Sequence, residues 1–538
     1  MKLWSLAGLV ALALGATAVA QPAPVTAPAL DKLFNRAGAA TPGCAVGVEA
    51  KGSAPVLRAY GQADLEHGVP NTPETIFEAG SVSKQFTAAA TLLLVKDGKL
   101  SLGDDAHIYL PELPDYGRPI TIAELLGHTS GLRDWGSVEA MAGWPRGDRV
   151  YSLADVLRIA SRQRVLNYAP GQRWSYTNTG YNLLALIVQR VSGRSLADFT
   201  RERLFVPLGM THTSWRDDFR RVVPGRAVAY ARETPGGAYE QLMPFEDAYG
   251  NGGLLTTVGD LLIWNRALGE HKLGDFVAGE LERRTVLTDG HPVDYARGLF
   301  IQSHHGMREV SHSGATAGYR AWLGRFPDQG LSVAVLCNGA DALGRTLPYD
   351  VADLYLPPGP PAAALTPAPA SFAGWYASDR DGAPMHLALH DGQVETDRGV
   401  RLMLDASGGF TLALRDGAST GQGQVLPDGR LALDVTGDRT VFTRAETYAP
   451  APAALAAIAG RYHSAEADAT YRVTVDQEGL KLTVEERSGQ TQVLKPAYDG
   501  AFADAETTLR PVHGTDGAVI AIRLSDDRAW DVRFDRVP

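Results

Sequence analysis

Ser81 and Lys84 are the pair in this chain best placed for covalent chemistry. They lie in Phe77-Glu-Ala-Gly-Ser-Val-Ser-Lys-Gln-Phe-Thr-Ala-Ala-Ala90, where Gly80 marks a turn into a helical pattern. Residues three apart share a helix face, so the serine hydroxyl and the lysine amine can meet. An unactivated serine is a weak nucleophile, and an adjacent base changes that. The positive end of a helix dipole also favours negative charge developing beside it. The same spacing can equally be a helix cap and a surface lysine, so the remaining chain must decide.

Two later segments do so. Pro170-Gly-Gln-Arg-Trp-Ser-Tyr-Thr-Asn-Thr-Gly-Tyr-Asn182 carries Tyr176-x-Asn178 on a turn before the apolar helical run Leu183 to Val191. Glu309-Val-Ser-His-Ser-Gly-Ala-Thr-Ala-Gly-Tyr319 carries His312-x-Gly314 in a strand-like stretch. Three motifs in this order resemble the serine beta-lactamase and penicillin-binding superfamily. The closest resemblance is to its Tyr-x-Asn branch of class C beta-lactamases, DD-carboxypeptidases, D-aminopeptidases and some esterases. Glu124-Leu-Leu-Gly-His-Thr-Ser-Gly-Leu132, Gly250-Asn-Gly-Gly-Leu-Leu-Thr-Thr257 and the segment Arg325 to Asn338 agree, so the similarity extends over about residues 28–355.

The resemblance implies a role for each residue. Ser81 attacks a carbonyl carbon. Lys84, its pKa depressed by burial and nearby cations, accepts a proton. Tyr176 shuttles protons, with Lys84 and His312 close enough to favour its phenolate. Asn178 holds Lys84 and hydrogen-bonds a substrate amide. His312 stands where most beta-lactamases carry a lysine. A titrating imidazole there should shape the acid limb of activity, between about pH 5.5 and 7.5. Backbone N–H groups of Ser81 and Ala315 form the oxyanion hole, and Gly314 lets substrate approach that backbone. His128 belongs to a segment the resembled family uses structurally, and His304 and His305 read as solvated strand residues. No Gly-x-Ser-x-Gly elbow surrounds Ser81, because Ala79 and Ser83 flank it, which argues against a Ser-His-Asp triad. This chemistry calls for no metal and no cofactor.

The elements that must position these residues follow from patterning. Ser81 to Gly269 reads mostly as helices, with apolar runs at Leu92 to Val95, Leu183 to Val191 and Asp260 to Leu268. Strand patterns return from Gly298 to Leu336, followed by a helical pattern at Leu347 to Tyr355. The fold class expected is α+β: a beta-lactamase/transpeptidase-like domain over 28–356, its antiparallel sheet flanked by helices. A proline-rich linker at 357–370 follows. Beyond it Phe372-Ala-Gly-Trp-Tyr376-Ala-Ser378 recurs, offset by 86 residues, as Ile458-Ala-Gly-Arg-Tyr462-His-Ser464. Short alternating strands broken by Asp-Gly and Gly-Gly turns must hide their edges, and closing into a barrel does so. Two small up-and-down, lipocalin-like β-barrels are expected, at 371–447 and 455–538, folding apart from the catalytic domain. This tail is similar to that of three-domain D-aminopeptidases. In those a tail loop reaches the active site, so removing residues after about Pro357 should change substrate preference more than acylation of Ser81.

Residues 1–20 read as a signal peptide: Lys2, an apolar core from Leu3 to Gly15, and Ala18-Val19-Ala20 before Gln21. The expected location is periplasmic or secreted, with no stable membrane insertion once the signal is removed. The net charge of −10 argues against nucleic acid as a partner. Cys44 and Cys337, the only cysteines, lie in apolar runs and read as two buried free thiols. The resembled fold sets its first and last strands side by side, which permits a bridge in an oxidising compartment.

The function expected is an exported serine hydrolase working through an acyl-enzyme, foremost a peptidase or amidase on small peptides. An esterase, a beta-lactamase or a DD-carboxypeptidase would use the same residues. A penicillin-sensing or cell-wall-binding protein would not need them intact. The ligand is a small peptide, amide or ester, and an oligomer is compatible with the chain.

Overall fold

The structure is a computed structural model that describes residues 27–35, 37–38, 40–344, 346–359, 364–414, 419–487 and 489–538. The expected signal peptide lies outside the described residues, as do most of the segment after it and residues 360–363 of the linker.

Six strands form one antiparallel sheet: β1 (Cys44–Ala50), β2 (Val56–Tyr60), β3 (Phe300–His304), β4 (Met307–Thr316), β5 (Tyr319–Phe326) and β6 (Leu331–Cys337), in the spatial order β3-β4-β5-β6-β1-β2. The helices that matter for the site are α1 (Lys84–Lys96), α2 (Asn178–Ser192), α3 (Val258–Gly269) and α4 (Leu347–Asp353). In α1 every residue from Lys84 to Leu94 is buried. A helix buried on all sides has no solvent face to offer, so it becomes the central element against which α2 packs. The α+β expectation therefore holds.

The two thiols are not free. β1 and β6 are neighbours whose register sets Cys44 opposite Cys337, and the two form a disulfide. The sequence separation of 293 hid a pairing that sheet order makes direct. His304 and His305 are not simply solvated either. They lie at the β3–β4 turn, and their Nε2 atoms reach the Asp353 carboxylate of α4 at 2.6 and 3.3 Å.

Both tail units are closed eight-stranded antiparallel barrels, from Gly374–Ser378 to Asp438–Ala445 and from Gly460–Ser464 to Val532–Val537. The repeat is physical as well as textual. Tyr376 and Tyr462, 86 residues apart, are both buried, and each donates its hydroxyl to the carbonyl four residues earlier, Phe372 O at 3.0 Å and Ile458 O at 2.5 Å.

The barrels do not stand apart from the catalytic domain. Trp135, Val138, Met141, Tyr151 and Ile159 share one apolar core with Tyr471, Val473, Leu482 and Phe534 of the second barrel. Tyr471 donates its hydroxyl to Met141 O at 2.7 Å. Arg133, 1% exposed at its side chain, pairs with Glu466 at 2.7 Å. The barrels also touch each other, with Trp375 and Ala377 packed against the cluster of Ala497, Tyr498, Ala501 and Ala503. A proline-rich linker signals separate segments, but it says nothing about whether their apolar faces later meet. Removing the second barrel would uncover Trp135 and its neighbours, so the expected truncation effect on substrate preference would arrive together with a loss of folding. Among the described residues no helix is long and apolar enough to cross a membrane.

Candidate active site

Gly80 makes the turn that presents Ser81. Its φ is +50°, a conformation that side chains rarely adopt, and a Cβ there would meet Ala315 N at 2.6 Å. A Cβ on Gly314 would meet Ala79 O at 2.1 Å and Ser81 N at 3.1 Å. Two facing glycines thus let the turn press against β4. The backbone at Ser81 N and the backbone at Ala315 N are thereby brought close together.

Lys84 opens α1 and is wholly buried. Its Nζ donates to Asn178 Oδ1 at 3.0 Å and to Asn251 O at 2.7 Å, and lies 3.2 Å from Ser81 Oγ. Among the described residues no carboxylate pairs with it. Burial, reinforced by the Arg528 and Arg146 charges and opposed by Asp134, holds its pKa well below the usual lysine range. With two N–H groups committed to carbonyl oxygens, a neutral amine has its lone pair left for the serine proton.

Asn178 is the first residue of α2, capped by the Thr177 side chain. Its N–H donates to Asp134 Oδ2 at 2.6 Å, while Asp134 Oδ1 accepts from Gly136 N at 3.0 Å. That carboxylate fixes the asparagine that orients the lysine.

Tyr176 is half-buried, with its ring 4.7 Å from Lys84 Nζ. Its hydroxyl is buried and hydrogen-bonds no other described residue in ordinary geometry. Burial pushes the phenol up, and Ser81 and Arg528 only partly oppose this. Tyr176 is therefore a phenol at neutral pH, not the phenolate expected from the sequence. A proton on that oxygen suits it to give one away. His128, buried at φ 60°, lies under the ring at 4.3 Å, and its Nδ1 accepts from Thr177 N at 3.2 Å. This supporting place agrees with the structural reading of His128.

His312 sits on β4 among Tyr295, Phe300 and Tyr176. Nδ1 meets Ser313 O at 2.6 Å, and Nε2 meets the Tyr295 hydroxyl at 3.2 Å. The carbonyl can only accept, so Nδ1 carries the proton and Nε2 accepts from Tyr295. Burial and Lys84 pull its pKa down to about 3. The expected titration between about pH 5.5 and 7.5 is therefore displaced. An imidazole with both nitrogens engaged and no charge cannot anchor a carboxylate. It does raise an acid-stability effect. Between about 3 and its ordinary value the unfolded chain binds the extra proton, so stability falls as pH drops through that range. His312→Gln should flatten the slope of Tm against pH there, and an unchanged slope would mean that His312 is not held neutral.

Motif reading missed four contributors: Asn251, Asp134, Tyr295 and Arg528. Asn251 stands in the quoted Gly250-Asn-Gly-Gly segment, but its contribution is a carbonyl, which any residue has. Arg528 comes from the second barrel. The loop between β7 (Val519–Ser525) and β8 (Val532–Val537) reaches the site, and the Arg528 guanidinium lies 5.2 Å from the centre of the Tyr176 ring. The loop is tied down: Asp134 N and Asn167 Nδ2 donate to Arg528 O at 3.1 and 3.0 Å, and Arg133 Nε donates to Trp530 O at 3.2 Å.

Comparison with known proteins agrees with this geometry. A family model described as Beta-lactamase matches residues 30–356. Penicillin-binding protein 4* of Bacillus subtilis is 30% identical over 307 residues, covering 52% of this chain and 64% of that protein. A D-aminopeptidase of Brucella canis is 28% identical over 340 residues, covering 63% of each. The alignments thus span less than two thirds of these curated relatives. An octameric penicillin-binding protein homologue from Pyrococcus abyssi shares the fold, with a TM-score of 0.53 at 21% identity over 92% of this chain and 95% of that one.

Proposed function

We propose that this chain, which belongs to the beta-lactamase family of serine hydrolases, is an exported peptidase or amidase that cleaves small peptides through an acyl-enzyme on Ser81. The observation that carries this reading is the Lys84 amine: buried, without a carboxylate partner among the described residues, its N–H groups spent on Asn178 and Asn251, and 3.2 Å from Ser81 Oγ. Lys84 takes the hydroxyl proton as Oγ attacks the carbonyl carbon. Charge on the carbonyl oxygen is met by the Ser81 and Ala315 N–H groups. The C–N bond breaks as the Tyr176 phenol gives its proton to the leaving nitrogen, and Lys84 returns a proton to Tyr176. Water then attacks the ester, reversing these transfers and releasing Ser81. The matched D-aminopeptidase supports an amide substrate, and the leader-like residues 1–20 with the Cys44–Cys337 bridge support export.

The experiment is intact-protein mass measurement with turnover over D-aminoacyl and L-aminoacyl nitroanilides, short nitrophenyl esters and nitrocefin. The expected result is a Ser81 adduct and turnover of the nitroanilides. Turnover of esters alone would make the enzyme an esterase, efficient nitrocefin hydrolysis a beta-lactamase, and an adduct that never turns over a sensor.

A further inference from the structure

The third motif lacks its cation, because His312 is neutral with both nitrogens engaged. Lys84 is depressed as well and is committed to Ser81 and two carbonyls. Arg146 gives its guanidinium to Glu246, a buried carboxylate, with Nε 3.0 Å from it. That leaves Arg528. Its side chain is 37% exposed, so it is not sealed in. Nε donates to Asp527 Oδ2 at 3.2 Å, but Asp527 is itself 79% exposed, and such a pair holds weakly. Among the described residues the two terminal nitrogens donate to no other protein atom. Asp134 faces Arg528 too, but it accepts from Asn178 N and Gly136 N, and among the described residues no hydrogen bond or ion pair joins the two side chains.

We propose that Arg528 is a specificity-determining residue whose guanidinium holds a carboxylate on the leaving half of the substrate. The side of the scissile bond follows from Tyr176. Its phenol serves the leaving group, and Arg528 covers that ring. A planar guanidinium whose two terminal nitrogens are free matches a carboxylate in two-point contact. The same charge disfavours an ammonium there. The substrate class is then a short peptide cleaved one residue before its free carboxyl end, or an ester whose leaving group is acidic. This rests on the Ser81 and Tyr176 roles given above. It also explains what a barrel contributes: the cation that β4 lacks, brought by a loop clamped onto Asp134, Asn167 and Arg133.

The test uses butyrate esters of three phenols alike in size and differing in a meta substituent: carboxylate, neutral methyl ester and trimethylammonium. The wild-type enzyme should favour the carboxylate over the neutral ester by about tenfold in kcat/KM. Arg528→Ala should lower the carboxylate ester by about ten- to a hundredfold, mainly through KM, and the neutral ester by far less. Arg528→Lys should restore part of the loss, and Arg528→Glu should turn the preference toward the ammonium. Equal losses on all three esters would make Arg528 a structural residue, and a wild-type enzyme indifferent to charge would overturn the subsite. A second readout needs no catalysis. NMR line broadening of free 3-hydroxybenzoate should appear with wild type and disappear with Arg528→Ala. If no ester is turned over but this binding difference is seen, the hydrolase reading fails while the subsite stands. If binding is the same in both proteins, the subsite fails whatever the hydrolysis.

Discussion

Ser81→Ala is expected to lower hydrolysis by about a thousandfold or more and leave the fold unchanged. The hydroxyl is needed because it alone forms the bond to the substrate carbonyl. It is dispensable for folding because its close side-chain partner, Lys84 Nζ at 3.2 Å, keeps its bonds to Asn178 Oδ1 and Asn251 O without it. The measurement is kcat/KM on whichever nitroanilide or ester the wild type cleaves best, with circular dichroism as the control for folding. A fluorophosphonate should label Ser81 in the wild type, read by peptide mass, and no serine in the variant. Retention of most of the turnover would sink the nucleophile assignment.

Lys84→Met should cause a comparable loss of activity and yet make the protein more stable at neutral pH. Methionine has a similar length, fills the buried volume and carries no charge. The sign follows from linkage. Burial holds Lys84 well below its usual range in the folded chain, whereas the unfolded chain keeps an ordinary lysine. Between those two values the unfolded chain binds more protons, so Lys84 costs stability there, and the cost shrinks as pH rises toward the ordinary value. The gain in Tm for Lys84→Met should therefore be largest at and below neutral pH and fade toward about pH 10.4. Wild-type kcat/KM should rise with pH as Lys84 loses its proton and then level, because the neutral amine is the base. Lower stability of the variant at every pH would mean that the amine is held charged, and the proton path drawn from it would be wrong. Such a trade of stability for a poised base is common at catalytic sites.

Much of this was legible in the chain because the information was local. Ser81 and Lys84 sit one helical turn apart, and Tyr176 and Asn178 straddle a helix start. Glycines at 80 and 314 mark the places where two backbones touch. The alternation of strand residues and the offset of 86 residues announced two similar barrels, since period and turn chemistry are properties of short segments.

Long-range convergence was not legible. Whether Cys44 and Cys337 pair depends on sheet order and register, which no local pattern encodes. Lys84 and His312 were expected to ease Tyr176 toward its phenolate, and His312 to titrate near neutral pH; burial dominates at both, pushing the phenol up and the imidazole down, and no local pattern encodes it. Arg528 lies 447 positions after Ser81 in a loop with no motif, and only the docking of a barrel onto Trp135 and Arg133 brings its charge over Tyr176. The sequence by itself determined which groups are available for chemistry, because reactive residue types and their spacing along one helix or turn are written locally. The tertiary structure alone decided which of them are charged and which cation faces the substrate, because burial and the meeting of distant segments arise only when separate apolar faces close on one another.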